Sequence, residues 1–404
     1  MLETDRSHYL GDYIELQRGN TYKSALLGSP GPTLLGLGSI ARNGGFKNGG
    51  LKTYGGTSDA RMLLRPGDIY VSLKDVTQSA DLLGAVARVP REIPLGRLTQ
   101  DTVRLIFRHD DAPTAYIYWL LQTPDYRAYC RAHATGTTNL GLSRDDFFAF
   151  PVPGFNKTRA AIVNLLEDIE SKINISRKMN ETLEAMARLL FESAETFQNW
   201  QECLLSSVAE IFDGPHATPK LTESGPIFLG ISNLHSGRLD LTSKNHLSKA
   251  DFAVWTRRVE PRAGDVVFSY ETRLGQAALI PPGLQCCLGR RMGLLRPKSD
   301  HTSPDLLLRA YLAPAFQETI RQRTIHGSTV DRIPLKEMGS FPIRLPDGMQ
   351  AETLSAVLAP LRAKAEANDR EAATLAATRD LLLLKLVSGG LRSSEAERGL
   401  ENVA

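Results

Sequence analysis

Two acidic positions and a lysine come nearest in this sequence to a metal-dependent active site. Asp125 follows Pro124, and Glu170 and Lys172 stand two positions apart further along. Together they imitate a nuclease pattern in which carboxylates bind Mg²⁺. Such a site needs the Glu and Lys on a strand beside the Asp, but the residues around Glu170 are helix formers. We therefore expect Glu170 and Lys172 to be solvated helix residues.

Other short catalytic motifs are missing. The sequence has no G-x-x-x-x-G-K-[ST] phosphate loop, no H-E-x-x-H zinc pair and no G-x-S-x-G nucleophile turn. The Gly-Leu-Gly at 36–38 has part of a nucleotide-binding pattern, without the third glycine or a following helix pattern. We predict a tight turn there, no catalytic residue and no metal site.

Polar residues suited to nucleic acid collect on glycine-supported loops in both halves of the chain. Arg, Asn and His side chains can bond base edges, while Lys, Thr and backbone N–H groups suit phosphates. The candidates are Arg18, Asn20, Lys23, Ser39, Arg42, Asn43, Lys47, Thr137, Thr138, His216, Lys220, Asn233, His235, Arg238, Ser328 and Thr329. The Gly-Thr and Gly-Ser loops at 136–138 and 327–329 are predicted to form phosphate nests. For any single residue, a solvated turn is the competing interpretation.

Similar segments recur in unchanged order about 190 residues apart. The Phe-Pro pair at 150–151 recurs at 341–342, and residues 32–36 correspond to 226–230. The Gly-Asp pair at 67–68 recurs at 264–265. Small drifts in the offset indicate an internal duplication. A chain with two copies of one domain usually binds two copies of a partner, or two parts of one long ligand.

Each half starts with a region rich in Gly, Pro and Thr. Short β-type runs at 68–72, 102–107 and 265–269 alternate with turn signals, and short helices are predicted at 114–122 and 304–312. These regions are predicted to be mixed α/β globules with much irregular loop.

A long helix is predicted after each globule. Residues 157–200 contain no Gly or Pro, and apolar residues recur in steps of four and three, as in a coiled coil. The predicted seam contains Ile162, Leu166, Ile169, Ile173, Leu183 and Leu190 on the first helix, and Leu354, Leu358, Leu361, Leu375 and Leu382 on the second. We predict that the two helices pack antiparallel. The alternative is that each lies on the surface of its own domain.

Polar and helix-breaking residues interrupt this pattern. Ser176, Asn180 and Asn368 place polar groups on the seam, where such groups lower stability but can fix the alignment of helices. Pro360 lies early in the second helix. It stands either near the first turn or at a kink, and both interpretations stay open.

Composition is that of an ordinary globular protein. The chain has 404 residues, 42% hydrophobic and 23% charged, with a net charge of +3 that neither demands nor excludes a nucleic-acid partner. Four cysteines without C-x-x-C spacing favour a reducing compartment. The first ten residues lack the apolar core of a signal peptide, and the aliphatic run at 381–384 is too short to span a bilayer. We expect a cytoplasmic protein.

Two globules alternating with two long helices resemble the specificity (S) subunit of type I restriction–modification systems. The helix at 166–191 is similar to that family's central conserved region. Asp213-Gly-Pro-His-Ala-Thr-Pro219, with 228–234, resembles the start of a target recognition domain. Lys385-Leu-Val-Ser-Gly389 resembles the end of the second conserved helix. The first globule departs from this pattern, with Arg18-Gly-Asn-Thr21 at the position of Asp-Gly-x-His.

The resemblance implies an α+β fold with a pseudo-two-fold internal repeat. It places target recognition domains at 1–155 and 203–346, antiparallel coiled-coil helices at 156–202 and 347–392, and a flexible tail at 393–404. Each domain is expected to read one half of a bipartite site in double-stranded DNA. The helices are expected to space the two domains and to dock two modification (methyltransferase) subunits.

The resemblance also implies that the chain is not itself an enzyme and binds no cofactor. S-adenosylmethionine is expected on the modification subunits, and ATP and magnesium on restriction (endonuclease and translocase) subunits. Two alternatives remain from the residues alone. One is a self-contained DNA-modifying enzyme with an unrecognised site, and the other is a coiled-coil adaptor between proteins.

Overall fold

The computed structural model describes residues 8–109, 111–137, 139–197, 200–235, 237–242, 244–298, 302–327 and 330–388. It divides into two units. Unit 1 comprises the described residues up to Ile173 and from Ala373 onward, and unit 2 comprises those within Asn174–Ala372. The predicted domain boundaries, which set each long helix apart as a segment of its own, stay a prediction. The candidates Thr138, Ser328 and Thr329 and the predicted tail at 393–404 lie outside the described residues.

Unit 1 is built from short strands and helices. The strands are β1 (His8–Tyr9), β2 (Ile14–Arg18), β3 (Thr33–Leu35), β4 (Leu63–Leu64), β5 (Ile69–Ser72), β6 (Lys74–Asp75), β7 (Val86–Arg88), β8 (Gly96–Leu98), β9 (Thr102–Phe107), β10 (Leu140–Gly141) and β11 (Pro151–Val152). The helices are α1 (Leu10–Tyr13), α2 (Thr114–Leu120), α3 (Pro124–Ala132), α4 (Arg144–Phe148) and the first part of α5 (Lys157–Phe197).

Unit 2 repeats this mixture. Its strands are β12 (Gln201–Leu204), β13 (Ala209–Asp213), β14 (Leu221–Leu229), β15 (Leu234–His235), β16 (Arg238–Leu239), β17 (Asn245–Leu247), β18 (Val266–Ser269), β19 (Ala277–Leu279), β20 (Cys286–Leu288), β21 (Met292–Pro297) and β22 (Pro342–Leu345). Its helices are α6 (Leu205–Val208), α7 (Lys249–Trp255), α8 (Pro304–Leu312), α9 (Pro314–Arg323) and the first part of α10 (Gly348–Ser388).

The two units share the topology of their four-stranded sheet and the parallel strand pair of their three-stranded sheet, whose third strand pairs with β8 in unit 1 and with β14 in unit 2. Unit 1 has a four-stranded antiparallel sheet in the order β2-β9-β5-β7, and unit 2 has the equivalent order β13-β21-β18-β19. Each unit also has a three-stranded sheet with one parallel pair, β3 with β8 and β14 with β20. Leu35 pairs with Leu98 there, and Leu229 with Leu288. The predicted α+β class is confirmed, and the duplicated sequence folds into a duplicated scaffold.

One partly buried ion pair recurs in this scaffold. Arg104 on β9 contacts Asp68 at 2.8 Å, and Arg296 on β21 contacts Asp265 at 2.7 Å. The glycine before each aspartate has φ of +92° in unit 1 and +88° in unit 2, a conformation that glycine adopts without strain. The repeated Gly-Asp pair is therefore a structural turn and ion pair that fastens the central strands.

In unit 1 the first part of α5 packs against the last part of α10. The predicted seam residues are nearly inaccessible on α5, at Ile162, Leu166, Ile169 and Ile173, and buried on α10, at Leu375 and Leu382. The Arg159 guanidinium donates to the carbonyls of Leu386 and Val387 at 3.1 and 2.9 Å, and Arg379 pairs with Glu170 at 3.3 Å. As the residue number on α5 rises, the number of its contact residue on α10 falls, so the two segments run antiparallel.

In unit 2 the seam prediction is wrong at its end. Leu358 is buried and Leu183, Leu354 and Leu361 are half-buried, but Leu190 is 38% exposed while Phe191 is 1% exposed. Phe191 packs edge-on against Trp200 in the core of the unit, with ring centroids 4.9 Å apart. Here the helix meets a globule, so its buried face follows the ordinary 3.6-residue turn and moves one residue away from the 3.5-residue coiled-coil register.

Pro360 lies in the interior of α10, which runs without interruption through Gly348–Ser388. The interpretation that it stands near the first turn is therefore wrong. Proline has no N–H, so the carbonyl of Ala356 loses its usual helical donor. None of the described helices is both long and apolar enough to cross a membrane.

The four cysteines are free thiols. Cys286 and Cys287 are adjacent on β20 and side chains alternate along a strand, so they enter two different apolar clusters. Burial raises the pKa of each to about 12. Burial also raises the pKa of Cys130, whereas Cys203 is only half-buried.

Candidate nucleic-acid interface

A buried arginine holds the first candidate loop of unit 1. Arg97, 2% exposed, lies 4.6 Å above the Tyr54 ring and donates to the Asn20 side chain at 2.6 Å and to the Thr21 carbonyl at 3.1 Å. The side-chain oxygen of Asn20 is therefore already bonded within the unit. Its neighbours Arg18 and Lys23 are exposed. The loop is rigid at its base and presents cations at its surface.

Ser39 is a scaffold residue, and the prediction that it contacts DNA is wrong. Its side chain is fully buried, where Oγ donates to the Gly36 carbonyl at 2.7 Å and lies 2.8 Å from the Tyr70 hydroxyl. Burial raises the pKa of Tyr70, so this hydroxyl stays protonated. The pair closes the turn from which the next loop begins.

That next loop, residues 41–47, keeps three candidates at the surface. Arg42, Asn43 and Lys47 are exposed, and the side chain of Arg42 is 80% exposed with Asp81 at 3.9 Å. Asn43 has φ of +64°, which Asn tolerates better than most residues, and its N–H donates to the Asp81 carbonyl at 2.8 Å. The backbone is thus fixed while the side chains face solvent.

The Gly-Thr loop of unit 1 is also a constrained turn. Gly136 has φ of +103°, and a side chain there would collide with the Asn139 carbonyl. Thr135 closes the turn by pairing with Gly141 in both directions, and Thr137 is exposed. Whether backbone N–H groups bind phosphate here stays a prediction.

In unit 2 the Asp-Gly-Pro-His segment forms an ordered turn. His216 is exposed, and its Nε2 lies 2.8 Å from Asp213 Oδ2, with Arg258 3.9 Å from the same oxygen. Burial, and next the nearby Asp213 carboxylate, raise the pKa of Tyr270 beside them. In a neutral ring the contact requires the proton on Nε2, which leaves Nδ1 as an outward acceptor. Such a histidine is suited to an amino group on a base edge.

Arg258 was missed by sequence reasoning. It stands far from Asp213 in the chain, and only the folded structure brings it to that carboxylate. Lys220, a predicted candidate, is exposed on the same loop as His216. The loop itself therefore presents one cation and one histidine, and the segment after α7 places a second cation, Arg258, beside Asp213.

Asn233 is the counterpart of Ser39, and its prediction as a DNA contact is also wrong. It is 6% exposed, accepts the Gly230 N–H at 2.9 Å and donates to the Asp240 carbonyl at 2.8 Å. Both residues stand three positions after the glycine that ends the first strand of the small sheet. We call Ser39 and Asn233, the two buried polar residues at this repeated position, the buried clasp. Neither side chain faces a ligand.

The hairpin that follows, β15–β16, contains two candidates, His235 and Arg238, whose environments differ. His235 is exposed. Arg238 donates to the Asp369 carboxylate of α10 at 2.6 Å, and its contact with DNA stays a prediction. An arginine held by a carboxylate is a structural ion pair in this state.

Apart from Thr137, which lies on the turn closed by Thr135 and Gly141, the exposed candidates share one location in the repeated scaffold. In each unit they lie on the two loops that flank the first strand of the three-stranded sheet, β3 in unit 1 and β14 in unit 2. The exposed candidates are Arg18, Lys23, Arg42, Asn43 and Lys47 in unit 1, and His216, Lys220 and His235 in unit 2. The framework of these loops repeats, while their exposed side chains differ between the units.

The nuclease-like residues are not arranged as a metal site. Asp125 is exposed in the first turn of α3, and Glu170 on α5 pairs with Arg379 at 3.3 Å. Across the described residues, no group of three or more His, Cys, Asp or Glu side chains is placed to hold a metal ion.

Comparison with solved structures finds the same fold. The S subunit of a type I restriction–modification system from M. genitalium aligns with a TM-score of 0.51 at 16% identity, covering 96% of this chain and 98% of that chain. The HsdS subunit from Thermoanaerobacter tengcongensis aligns at 0.32, with 18% identity over 96% and 97% of the two chains. A structure describing complex assembly and conformational transition of the type I R-M system aligns at 0.39, with 18% identity over 94% and 97%.

No protein-family model matches the sequence, and no curated protein matches it. The M. genitalium alignment covers both chains almost completely, so the likeness extends across the fold. The resemblance to an S subunit seen in the sequence is confirmed at the level of the fold.

Proposed function

We propose that the chain is the specificity subunit of a cytoplasmic type I restriction–modification complex. Each globule reads one half of a bipartite DNA target, and the long helices separate the half-sites and dock the modification subunits. The chain contributes recognition and assembly. Methyl transfer, with S-adenosylmethionine, belongs to the modification subunits, and ATP- and magnesium-dependent cleavage belongs to the restriction subunits.

One observation carries the proposal: one scaffold occurs twice, with different exposed side chains on matching loops. The sheets, the Asp–Arg pair and the buried clasp recur, while Arg42, Asn43 and Lys47 in unit 1 face solvent where unit 2 has a hairpin with His235. A protein that reads two different half-sites needs a constant frame and variable contacts. An adaptor or a single-site enzyme has no need of this combination.

The long helices suit a spacer. Each contains 41 residues, which at 1.5 Å per residue gives a length of roughly 60 Å. Duplex DNA rises roughly 3.4 Å per base pair. A rod of this length suits half-sites separated by about one helical turn or more.

Exposed apolar residues on the helices support docking of partner subunits. On α5, a stripe of apolar residues occupies the positions immediately before four predicted seam positions. Its members are Ile175, Met179, Met186 and Leu189, which are 57%, 40%, 44% and 56% exposed. On α10, Leu381 and Leu384 are 63% and 54% exposed. Their steps of four, seven and three along α5 fit an amphipathic helix packing alongside. We assign these outer faces to two modification subunits.

The proposal is tested by methylation in a host without other DNA methyltransferases. The chain is co-expressed with a methyltransferase subunit of a type I system from the same genome, and modified bases are mapped across the host genome. We expect one bipartite motif with an unread gap of fixed length, and no methylation when either chain is omitted. His216→Ala should reduce methylation without loss of complex.

Two results would contradict the proposal. Methyl transfer to DNA by the purified chain alone, supplied with S-adenosylmethionine, would identify an enzyme. A stable complex with the methyltransferase subunit that neither retains DNA nor methylates it would identify an adaptor.

A further inference from the structure

The hairpin β15–β16 of unit 2 is clamped onto both long helices by a polar network. Asn368 Nδ2 donates to Asn180 Oδ1 at 2.8 Å inside the helix pair, and Asn180 Nδ2 donates to Asp369 Oδ1 at 2.8 Å. The same carboxylate accepts Arg238 of the hairpin at 2.6 Å. Asp369 therefore joins the buried asparagine pair to the globule.

The tip of the hairpin is held a second time. Gly237 has φ of +96° and donates to the Ala277 carbonyl at 3.0 Å, and a side chain there would collide with Glu184 of α5 and Arg309 of α8. Glu184 and Arg309 form a bidentate ion pair, with one contact of 3.0 Å and Arg309 only 7% exposed. Helices α5 and α10 thus each contribute one acid at this turn.

The matching turn of unit 1 is attached differently. Asn43 donates its backbone N–H to the Asp81 carbonyl, and Gly44 packs against Gln122 at the end of α2. These contacts lie within the globule. The two copies of the turn have diverged, one toward exposed cations and the other toward the helices.

Polar groups on a helix seam are costly to bury and are kept where they fix alignment. Asn180 and Asn368 are 1% and 3% exposed, and they are linked through Asp369 to the hairpin that carries His235. One network therefore fixes both the helix register and the angle of the hairpin.

We infer that Asp369, with Arg238 and Asn180, is a positioning residue that sets the angle of the second reading globule on the helix pair and so restricts the gap between half-sites to one length. The inference rests on the proposed function. Asp369 does not touch DNA in this mechanism. Its effect reaches DNA through the hairpin.

The test uses the complex of the full chain with its methyltransferase subunit. Asp369→Asn keeps the shape and removes the charge, and Arg238→Asp combined with Asp369→Arg restores a reversed pair. Asp380→Asn is the matched control, because Asp380 is an exposed acid on the same helix that pairs only with neighbouring Arg379 among the described contacts. Genome-wide methylation is scored at the wild-type gap and at gaps one base pair longer and shorter.

We expect Asp369→Asn to raise methylation at the wrong gaps about tenfold relative to the correct gap, the factor expected for losing one charge-assisted hydrogen bond. Arg238→Ala should do the same, the reversed pair should return toward wild type, and Asp380→Asn should not change the ratio. Base preference within the first half-site should stay constant.

Three results separate the outcomes. If the wild-type complex methylates no bipartite motif, the proposed function itself is wrong. A wild-type motif whose gap ratio is unchanged in both Asp369→Asn and Arg238→Ala would overturn only the positioning role. If Asp369→Asn does not assemble, Arg238→Ala decides: assembly with mixed gaps supports the role, and assembly with one gap contradicts it.

Discussion

At the scale of single residues, the type of a side chain does not show whether it contacts a ligand or is buried to hold a turn. Ser39 and Asn233 have the chemistry of base-reading residues, yet both are buried and satisfied by backbone groups. Arg238 is ion-paired to α10. Arg42, Lys47 and other cations on the same loops face solvent, and their contact with DNA stays a prediction. The missing information is burial, which depends on contacts far apart in the chain.

A matched pair of substitutions tests this division. Asn233→Ala should lower the free energy of unfolding by about 1–3 kcal/mol, because it leaves the Gly230 N–H and Asp240 carbonyl without their buried partner. His235→Ala, two positions away and exposed, should leave stability within about 0.5 kcal/mol but weaken DNA binding by the complex. Urea denaturation and DNA titration measure the two effects. Equal loss of stability in both variants would refute the assignment.

At the scale of elements, the spacing of apolar residues predicted the buried face of a helix wherever that helix packs against the same neighbouring element along its length. The predicted strands at 102–107 and the helix at 304–312 match β9 and α8, and the first seam residues are buried as predicted. The prediction failed at Leu190, where α5 passes from a helix partner to the core around Trp200. A sequence period does not reveal the surface against which a helix packs.

The same substitution at two places on α5 should therefore affect two different properties, stability in one case and partner binding in the other. Leu166→Ala, at a fully buried position, should cost about 2–5 kcal/mol of unfolding free energy. Leu189→Ala, at a position 56% exposed, should change stability little and instead weaken co-purification with the methyltransferase subunit. Thermal unfolding and pull-down yield distinguish them. An intact complex with Leu189→Ala would remove Leu189 from the docking face.

At the scale of the whole molecule, the duplication was the most predictive feature of the sequence. Offsets of about 190 residues anticipated two copies of one scaffold, which the strand orders display. The sequence did not reveal that one copy of the candidate turn is fastened to the long helices and the other to its own globule. That difference depends on three residues, Arg238, Asp369 and Asn180, which are distant in sequence.

Exchange of one globule should change one half of the target. The sheets and the Asp–Arg pair of unit 1 are formed within residues 8–152, so residues 1–155 can be exchanged as one piece for the equivalent domain of another chain without dividing a sheet. We expect the methylated motif to change in one half-site, with the other half and the gap retained. A motif altered in both halves, or in neither, would count against one globule reading one half.

The burial of three thiols gives the chain a natural attachment point. Cys130, Cys286 and Cys287 are enclosed and stay protonated at neutral pH, which leaves the half-buried Cys203 on β12, with its Sγ 3.6 Å from the Ile343 carbonyl, as the least enclosed of the four thiols. A fluorophore placed there would sit on the strand paired with β22, immediately before α10 begins. Movements of the second globule during assembly can then be followed by fluorescence without introducing or removing a cysteine.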